Sequence, residues 1–545
     1  MGERKIFIDK DWLHLPVGIH APRHYVRFMV DGEQYTELHL GLDSENPDFY
    51  GAMEVVDIRG KELVIIADDV SDDWFKGLEL GGSMEEEPEK YADVYKEPMR
   101  QHYHFAPKRG WLNDPNGLVF DGEQYHLFFQ HNPYSNIHGD GDIHWGHAVS
   151  TDGVHWTEKR DAIRPWISEC HIASGTCIID HEGVAGYGKG TMIAAFTHLG
   201  SRDFRTDGHY LPSQGQYMAY STDGGEHFTF FPGNPVIPTE NGQSWRDPRL
   251  FESPDGGFGI AVYETFEGEN CVAFYHSNDL HHWERTARAD DLFECPDLFP
   301  LKDQNGVEQW VLYGADGMYR MGDFYGGAFH QKGSRFPLDF GSATYAGQTW
   351  TGRDDSQGRM HISWLLDEEF TWATQMASLY RQTSPVSQSM TVPCLLTLHQ
   401  TENGHRLHRN PIPAMDLLHT GAKKESSAQG VKEFQPDLYL HGDSRITIHA
   451  TQPVTVQAGK NCYKYDPATG ILTCGEYAPY VMEKKGDLEL RVFTDTMSCE
   501  SFLQGEISVT FGPDMRTSRL TITCEGEMDV TAVSEEMGKF WEQAR

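Results

Sequence analysis

Basic side chains are scarce in this sequence, which has 45 lysines and arginines against 82 aspartates and glutamates and a formal net charge of −37. A protein that binds nucleic acid needs a surface rich in lysine and arginine to neutralise the phosphates. The imbalance therefore excludes a nucleic-acid partner. It also disfavours binding to anionic membranes, because like charges repel.

Long hydrophobic runs are missing too. The sequence contains no stretch of about 18 apolar residues, so it predicts no membrane-spanning helix. The first ten residues are charged at the positions where a signal peptide has its apolar region. We therefore expect a cytoplasmic protein with no membrane partner.

Cysteine pairs at metal-binding spacing are also absent. The nine cysteines are spread thinly and include no Cys-x-x-Cys pair, so the sequence predicts neither a zinc knuckle nor a redox dithiol. The 28 histidines include His102 and His104, which would share one face of a strand, but no carboxylates accompany them at the spacing of a known site. We expect reduced thiols, no metal and no cofactor.

The residues that are abundant indicate a β-rich protein, with 12% aromatics, 55 glycines and 27 prolines. A chain of 545 residues is too long for one ordinary core and suggests several domains. Apolar and polar residues alternate at 24–30 and 62–67, which is typical of half-buried strands. A polar, charged stretch follows at 81–90 and reads as a linker. We predict a small N-terminal accessory β-sandwich over residues 1–95.

A similar change occurs near the other end of the chain. Residues 396–435 are polar and irregular, and alternation resumes at 445–449, 488–493 and 507–511. We predict a linker and a C-terminal β-sandwich over residues 401–545.

An internal repeat lies between these two regions. The stretches that begin at Ser150, Ser221 and Ser277 share a Ser-x-Asp turn followed by an aromatic residue. Such a strand-rich repeat is typical of a β-propeller with about four strands in each blade. The alternative is a set of hairpin turns that resemble one another by convergence. We predict an all-β chain, with a five-bladed β-propeller over residues 96–400 between the two sandwiches.

Three acidic residues stand in turn-forming, aromatic-flanked contexts within the repeat region. Asp114 lies in Trp-Leu-Asn-Asp-Pro-Asn-Gly, Asp247 in Trp-Arg-Asp-Pro-Arg-Leu, and Glu294 in Phe-Glu-Cys-Pro-Asp-Leu-Phe. Each belongs to a different predicted blade. Because the inner strands of a propeller converge on its axis, these side chains can meet in one funnel. Singly, each acid could equally cap a turn.

These motifs make the sequence resemble the glycoside hydrolases of family 32, the β-fructofuranosidase group that contains invertases, inulinases and levanases. The resemblance runs from about residue 102 to the C-terminus. It includes Gln-His-Asn-Pro at 130–133, Trp-Gly-His-Ala at 145–148, Asp-Gly-Gly at 223–225, Ala-Gly-Gln-Thr at 346–349 and Met-Thr-Val-Pro at 390–393. The resemblance implies a five-bladed propeller followed by a β-sandwich, in agreement with the repeat. The N-terminal domain resembles an accessory module of some bacterial members.

The resemblance also implies an activity. A retaining hydrolase of this family would release terminal β-D-fructofuranosyl units from short fructooligosaccharides, fructo-disaccharides or sucrose. One carboxylate attacks the anomeric carbon and a second carboxyl group protonates the departing oxygen. Asp114 matches the nucleophile, Glu294 the acid/base, and Asp247 the residue that stabilises the transition state. The partner would be a neutral fructose-containing saccharide, and a homo-oligomer is left open.

Six further residues are expected to bind substrate: Trp111, Asn113, Gln130, Trp145, Ser174 and Arg246. The Asn113 and Gln130 amides would hydrogen-bond sugar hydroxyls, and Arg246 would supply a positive charge beside the carboxylates. The two tryptophans would be flat apolar walls of the pocket or, alternatively, ordinary propeller core.

Several segments depart from the family pattern. Segment 134–143 is longer than usual and lacks an expected tryptophan, Ala173 replaces an aromatic residue, Cys394 replaces an arginine, and segments 203–216 and 367–388 diverge. Most of these positions should shape the pocket and its rim. Linkage and chain-length preference therefore stay open.

Three alternatives to the hydrolase stay open at this point. A fructosyltransferase would use the same three carboxylates. An inverting arabinofuranosidase-like propeller enzyme would need carboxyl groups about 6.5–9.5 Å apart instead of about 5–5.5 Å. A catalytically silent sugar-binding protein would be favoured by loss of one of the three acids, and all three are present.

Overall fold

A computed structural model describes residues 1–138, 143–165, 170–200, 215–239, 244–372 and 384–542. Within these ranges the chain forms forty β-strands and three short 3₁₀ helices, at Val56–Ile58, Asp72–Phe75 and Pro413–Leu418. None of the helices described there has the length and apolar character needed to cross a membrane. The prediction of an all-β chain is confirmed.

The N-terminal domain is a sandwich of two sheets. Its strands are β1 (Gly2–Phe7), β2 (Trp12–Val17), β3 (His24–Val30), β4 (Glu33–Leu40), β5 (Phe49–Glu54), β6 (Glu62–Ala67) and β7 (Glu79–Gly81). One sheet has the order β1-β6-β3-β4 and the other β5-β2-β7. Alternate residues of both sheets, such as Leu13, Val26 and Ile65, meet in one core, which is the reason for the alternation in the sequence.

The propeller begins with blades 1 and 2. Blade 1 contains β8 (Gly110–Phe120), β9 (Tyr125–Asn132), β10 (His144–Ser150) and β11 (Thr157–Glu158). Blade 2 contains β12 (Cys170–Asp180), β13 (Thr191–Gly200), β14 (Gly215–Ser221), β15 (Thr229–Phe230) and β16 (Ile237–Pro238). Neighbouring strands within each blade are antiparallel.

Blades 3 to 5 follow the same plan. Blade 3 contains β17 (Trp245–Glu252), β18 (Phe258–Phe266), β19 (Glu269–Ser277) and β20 (Glu284–Asp290). Blade 4 contains β21 (Asp297–Lys302), β22 (Glu308–Tyr313), β23 (Met318–Tyr325) and β24 (Ala328–Pro337). Blade 5 contains β25 (Thr344–Thr349), β26 (Arg359–Leu365), β28 (Ser389–Met390), β29 (Cys394–Thr401) and β30 (Gly404–Pro411), while the short strand β27 (Val386–Ser387) joins blade 1 parallel to β8.

The first strands of the five blades form a closed ring. Strand β8 packs on β12, β12 on β17, β17 on β21, β21 on β25, and β25 returns to β8. Each blade therefore presents its first strand to the central axis. The prediction of a five-bladed propeller is confirmed, and its axis is where side chains from different blades can meet.

The sequence repeat marks one turn that recurs in three blades. Asp152, Asp223 and Asp279 each accept a hydrogen bond from the serine two residues earlier, at 3.0, 2.8 and 3.1 Å. Each of these turns connects the third strand of its blade to the fourth. The repeat is therefore architectural, and its aspartates are turn residues outside the active site.

The C-terminal domain is built on one long strand. Its members are β31 (His419–Phe434), β32 (Gly442–Ala450), β33 (Val454–Ala458), β34 (Asn461–Asp466), β35 (Ile471–Cys474), β36 (Tyr480–Val481), β37 (Leu488–Asp495), β38 (Ser498–Leu503), β39 (Ile507–Phe511) and β40 (Leu520–Met537). The first part of β40 pairs with β33 and the later part with β32. Apolar residues of both halves, such as Val456 and Val492, share one core, which gives the predicted sandwich.

One expectation about the chain after the propeller is wrong. Residues 396–435, expected to be irregular, contain most of β29, all of β30 and the long strand β31. Strand β31 has no buried residue, so its sequence lacks the apolar alternation that identifies half-buried strands. Strand β30 also completes blade 5, so the last strand of that blade lies past residue 400.

Candidate active site

Four of the five first strands are irregular near their beginning. The pairing register shifts between Leu112 and Pro115 in β8, Ile172 and Gly175 in β12, Arg246 and Arg249 in β17, and Tyr345 and Gln348 in β25. A β-bulge redirects the side chains at the bulged residues. Asp114, Ser174 and Asp247 stand within three of these bulges, and all three face one region at the end of the axis.

The backbone there is in the left-handed region at non-glycine residues. Asp247 has φ 64°, Glu294 has φ 49° and Cys295 has φ 39°. Such conformations cost about 1–3 kcal/mol each and are retained where the surrounding structure requires them. The strain is concentrated on two of the three predicted catalytic acids and on the cysteine beside them.

Asp114 is held by three donors from three different strands or loops. Ser174 Oγ donates to its Oδ2 at 2.6 Å, Asn113 Nδ2 donates to its Oδ1 at 3.1 Å, and Cys295 Sγ lies 3.4 Å from Oδ2. Burial raises the pKa of Asp114, while the hydrogen bonds from Ser174 and Asn113 act in the opposite direction. These donors orient the carboxylate and favour its ionised form.

Asp247 is the most deeply buried of the three acids. Its backbone N–H donates to Thr197 Oγ1 at 2.8 Å, and its Oδ2 accepts a hydrogen bond from the backbone N–H of Cys295 at 3.2 Å. Burial raises its pKa to about 7; the guanidinium of Arg246 opposes the shift and the negative charge of Glu294 adds to it. Asp247 can therefore change its charge near neutral pH.

Glu294 lies in the loop between blades 3 and 4, not on a blade of its own as predicted, and it stands between an arginine and a tyrosine. Arg246 Nη2 donates to Glu294 Oε1, and the hydroxyl of Tyr345 donates to Oε2. The Arg246 guanidinium also lies 4.8 Å from the centre of the Tyr263 ring, in a cation–π contact. Burial and the charge of Glu294 raise the pKa of Tyr345, so its hydroxyl stays protonated as a donor.

Cys295 links the three carboxylates, and no role was predicted for it. Its thiol contacts Asp114, its backbone N–H contacts Asp247, and its neighbour is Glu294. Burial and these negative charges hold the pKa of the thiol well above its usual range, so Cys295 is a neutral donor. Tyr345 and Thr197 were also missed. The available signal for Cys295 and Tyr345 was proximity in sequence to recognised motifs, Glu-Cys-Pro-Asp and Ala-Gly-Gln-Thr.

Of the six predicted binding residues, three lie at the carboxylates. Asn113 and Ser174 contact Asp114, and Arg246 contacts Glu294. Gln130 is buried, and its Nε2 donates to the backbone carbonyl of Ile172 at 2.9 Å, next to the bulge that carries Ser174. In this structure Gln130 supports the site through the backbone of β12.

The expectation that two tryptophans form walls of the pocket is wrong. Trp111 and Trp145 are fully buried, so neither ring has a face to offer a sugar. Trp145 donates its indole N–H to the carbonyl of Ala173 at 2.9 Å, and Trp111 donates to Asn113 Oδ1 at 2.8 Å. Both are propeller core, the second reading given above, and Trp111 also orients Asn113.

His104, one of the paired histidines considered as metal ligands, has carboxylate partners at both ring nitrogens. His104 Nδ1 and Nε2 lie 2.8 and 2.7 Å from Asp495 and Glu500. A separate group in the described residues, Asp416, His419 and Asp443, has ligand atoms close enough together for a cation. There, however, Arg491 Nη2 already donates to Asp416 and Asp443 at 2.6 and 2.7 Å.

Several departures from the family pattern fall on positions outside the described residues. Residues 139–142, 201–214 and 373–383 belong to that part of the chain. The divergent segments 134–143, 203–216 and 367–388 are therefore described only where they overlap the ranges given above.

The fold and site together define a propeller protein with three carboxylates at the axis of five blades. Residues 104–411 match the family model described as the glycosyl hydrolases family 32 N-terminal domain. The chain belongs to glycoside hydrolase family 32. The N-terminal sandwich precedes the part of the chain that this model matches.

Named relatives agree with this membership, and a solved structure has the same fold. The chain is 30% identical to a levanase of Bacillus subtilis over 61% of its own length and 50% of that protein, and 29% identical to a levanbiose-producing levanase of the same organism over 61% and 65%. The chain thus spans half to two thirds of these two levanases. A crystal structure of exo-inulinase from Aspergillus awamori has the same fold, with a TM-score of 0.68, 24% identity, and coverage of 82% of this chain and 100% of that one.

Proposed function

We propose that this protein is a retaining β-fructofuranosidase that releases terminal fructosyl units by double displacement. The observation that carries the proposal is the meeting around Cys295 of Asp114 from blade 1, Asp247 from blade 3 and Glu294 from the loop between blades 3 and 4. A retaining glycosidase needs a nucleophilic carboxylate and an acid/base carboxyl group on opposite sides of one bond. The membership of family 32 supports the same assignment.

In the first step, a carboxylate oxygen of Asp114 attacks the anomeric carbon of the fructosyl unit. The bond to the glycosidic oxygen breaks, and Glu294 gives its proton to that oxygen as the leaving sugar departs. The product is a fructosyl ester on Asp114. Ser174 and Asn113, which hydrogen-bond Asp114, hold it in the orientation required for attack.

In the second step, the ionised Glu294 removes a proton from water, and the water oxygen attacks the anomeric carbon. The ester bond breaks, fructose leaves, and Asp114 is again a carboxylate. Asp247 would accept hydrogen bonds from fructose hydroxyls and stabilise the positive charge of the transition state. Arg246 and Tyr345 donate hydrogen bonds to Glu294 and would stabilise its ionised form between the two steps.

The proposed substrates are neutral saccharides: sucrose, fructo-disaccharides and short fructooligosaccharides. Relatives named levanase, exo-inulinase and invertase support fructose-containing substrates as a class. The net charge of −37 does not oppose this proposal, because a neutral sugar is neither attracted nor repelled at long range.

The test is the substitution Glu294→Gln, measured with sucrose and with an aryl β-fructoside that needs no protonation of its leaving group. We expect kcat/KM on sucrose, which reports the first step, to fall about 10²–10⁴-fold, with a smaller loss on the aryl substrate, because only sucrose needs the proton in that step. Glu252→Gln is the matched control, since Glu252 is exposed at the far end of β17.

Two outcomes would reject the assignment. Near-wild-type kcat/KM on sucrose in Glu294→Gln would exclude Glu294 as the acid, and equal losses of kcat/KM on both substrates would exclude proton donation as its role. Product analysis in the same assays separates hydrolysis, which frees fructose, from transfer to a second sugar.

A further inference from the structure

A side chain of the propeller is part of the core of the N-terminal domain. Tyr134, in the loop that follows β9, is 4% exposed and packs among the apolar residues of the N-terminal sandwich. Gly51 on β5 makes room for it, because a Cβ atom at that position would lie 3.1 Å from Cδ1 of the Tyr134 ring. The N-terminal domain therefore holds this loop directly.

The side chain of Asn132 connects Tyr134 to the residues at the end of the described loop. The backbone N–H of Tyr134 donates to Asn132 Oδ1 at 3.1 Å. Asn132 Nδ2 donates to the carbonyls of Ile137 and His138, at 3.4 and 3.1 Å. Asn132 is fully buried, so the backbone at 137–138 is placed relative to Tyr134 by one fixed amide.

His138 lies at the side of the active site. Its ring centre is 6.2 Å from that of Trp111 and 5.5 Å from that of Trp372, both edge to face. Trp111 hydrogen-bonds Asn113, which in turn donates to the carboxylate of Asp114. Trp372 is 51% exposed, so this aromatic group reaches from the proposed nucleophile to the surface.

We propose that Tyr134 is a specificity-determining positioning residue, through which the N-terminal domain fixes His138 and Trp372 at the rim of the pocket. The proposal rests on the proposed function, because the rim is where the sugar beyond the terminal fructosyl unit would bind. The segment that begins at Tyr134 departs from the family pattern, and the domain that holds it precedes the family model. The packing of Tyr134 in the core of the N-terminal domain connects this divergent segment to that domain.

The experiment compares Tyr134→Ala and Gly51→Ala with the wild type on sucrose and on a short inulin-type oligosaccharide. We expect KM to rise at least about fivefold in both variants, more for the longer substrate, with kcat changed less than about threefold, since the carboxylates keep their own contacts. Tyr134→Phe keeps the ring and should stay close to wild type. If Tyr134→Ala does not fold, Gly51→Ala tests the proposal by itself, because it changes only the N-terminal domain.

Glu54→Gln is the matched control, because Glu54 forms ion pairs across the same interface, with Arg160 at 2.6 Å and Arg164 at 3.1 Å. It should lower Tm without changing KM. If Tyr134→Ala and Gly51→Ala lower Tm but leave KM and the ratio of the two substrates unchanged, the contact only stabilises the fold and the proposal is wrong. The proposal is equally wrong if Glu54→Gln shifts KM as much as they do.

A second readout does not depend on activity. Gly51→Ala should speed amide hydrogen exchange at residues 134–138, and Glu54→Gln should not. A wild type that cleaves no fructoside would refute the proposed function, whereas unchanged exchange in Gly51→Ala would refute the role of Tyr134. The two failures are therefore distinguishable.

Discussion

At the scale of single residues, burial disfavours the ionised form of two of the three acids in the site. Burial raises the pKa values of Asp114 and Asp247, and that of Asp247 reaches about 7. An aspartate in an unfolded chain has a pKa of about 3.9. Because its folded pKa is raised, Asp247 contributes stability that is present at low pH and is lost as the pH rises through about 7. The acid that would stabilise the transition state thus costs stability at neutral pH.

Asp247→Asn should therefore make the protein more stable at pH 8, by roughly 2–4 kcal/mol, while abolishing activity. The gain should shrink as the pH falls to about 4, where the wild-type residue is itself neutral. Thermal unfolding of the wild type and of Asp247→Asn between pH 4 and 8 measures this difference in stability. A gap in Tm that does not vary with pH would contradict this account.

Asp152→Asn is a control for which we expect the opposite change in stability at pH 8. Burial would raise the pKa of Asp152, but hydrogen bonds from the backbone N–H groups of His155 and Val154 outweigh it and lower the pKa. Its stabilising contribution is therefore present above the unfolded pKa and is lost as the pH falls. This variant should be less stable than wild type at pH 8, with a difference that narrows in acid.

At the scale of elements, a buried ion pair joins strand β17, which carries Asp247, to strand β21, which follows Glu294. Arg249 Nε lies 3.0 Å from Asp297 Oδ1, and both side chains are fully buried. Asp297 Oδ2 also accepts hydrogen bonds from the N–H and hydroxyl of Thr349, both at 2.8 Å. Blades 3, 4 and 5 are thereby tied together directly behind the site, which fixes the bulges that present the acids.

Asp297→Asn should destabilise the protein by about 3–5 kcal/mol, because it leaves the Arg249 charge buried without a partner. The asparagine can still accept the hydrogen bonds of Thr349. The double variant Arg249→Met with Asp297→Asn should recover part of the loss, since the unpaired charge is gone. Denaturant midpoints of the wild type, Asp297→Asn, Arg249→Met and the double variant measure this, and a double variant with the summed loss of both single variants would contradict it.

Elements also show where sequence reasoning succeeded. The meeting of the three acids at the propeller axis could be predicted because each acid lies in a local turn motif of the sequence. The contacts of Cys295 and Tyr345 could not, because they depend on how two blades pack, which no local pattern records. Strand β31 was missed for a different reason: it has no buried face, so it carries no alternation.

At the scale of the whole molecule, residues just before the propeller tie it to the C-terminal domain. His104 is fully buried between Asp495 and Glu500, and Asp495 also accepts hydrogen bonds from the backbone N–H groups of His102 and Tyr103. Burial alone would lower the pKa of His104, but the hydrogen bonds to the two carboxylates outweigh it and raise the pKa to about 9. The junction therefore depends on a charged histidine.

The stability that His104 contributes should be complete below pH about 6.5, its ordinary pKa, and should be lost as the pH rises through about 9. His104→Gln tests this by thermal unfolding from pH 6 to 10. We expect the variant to unfold at a lower temperature than the wild type at pH 6, with a gap that closes toward pH 10. A gap that widens with pH would show that His104 is neutral in the folded protein.

The central claim is a double displacement on Asp114, and the configuration of a transfer product tests it most directly. Wild-type protein is incubated with sucrose in the presence of methanol, and the methyl fructoside formed is identified by NMR. Two successive inversions at the anomeric carbon predict methyl β-D-fructofuranoside, and Asp114→Asn should form none. Methyl α-D-fructofuranoside, or unchanged methanolysis in Asp114→Asn, would contradict the account.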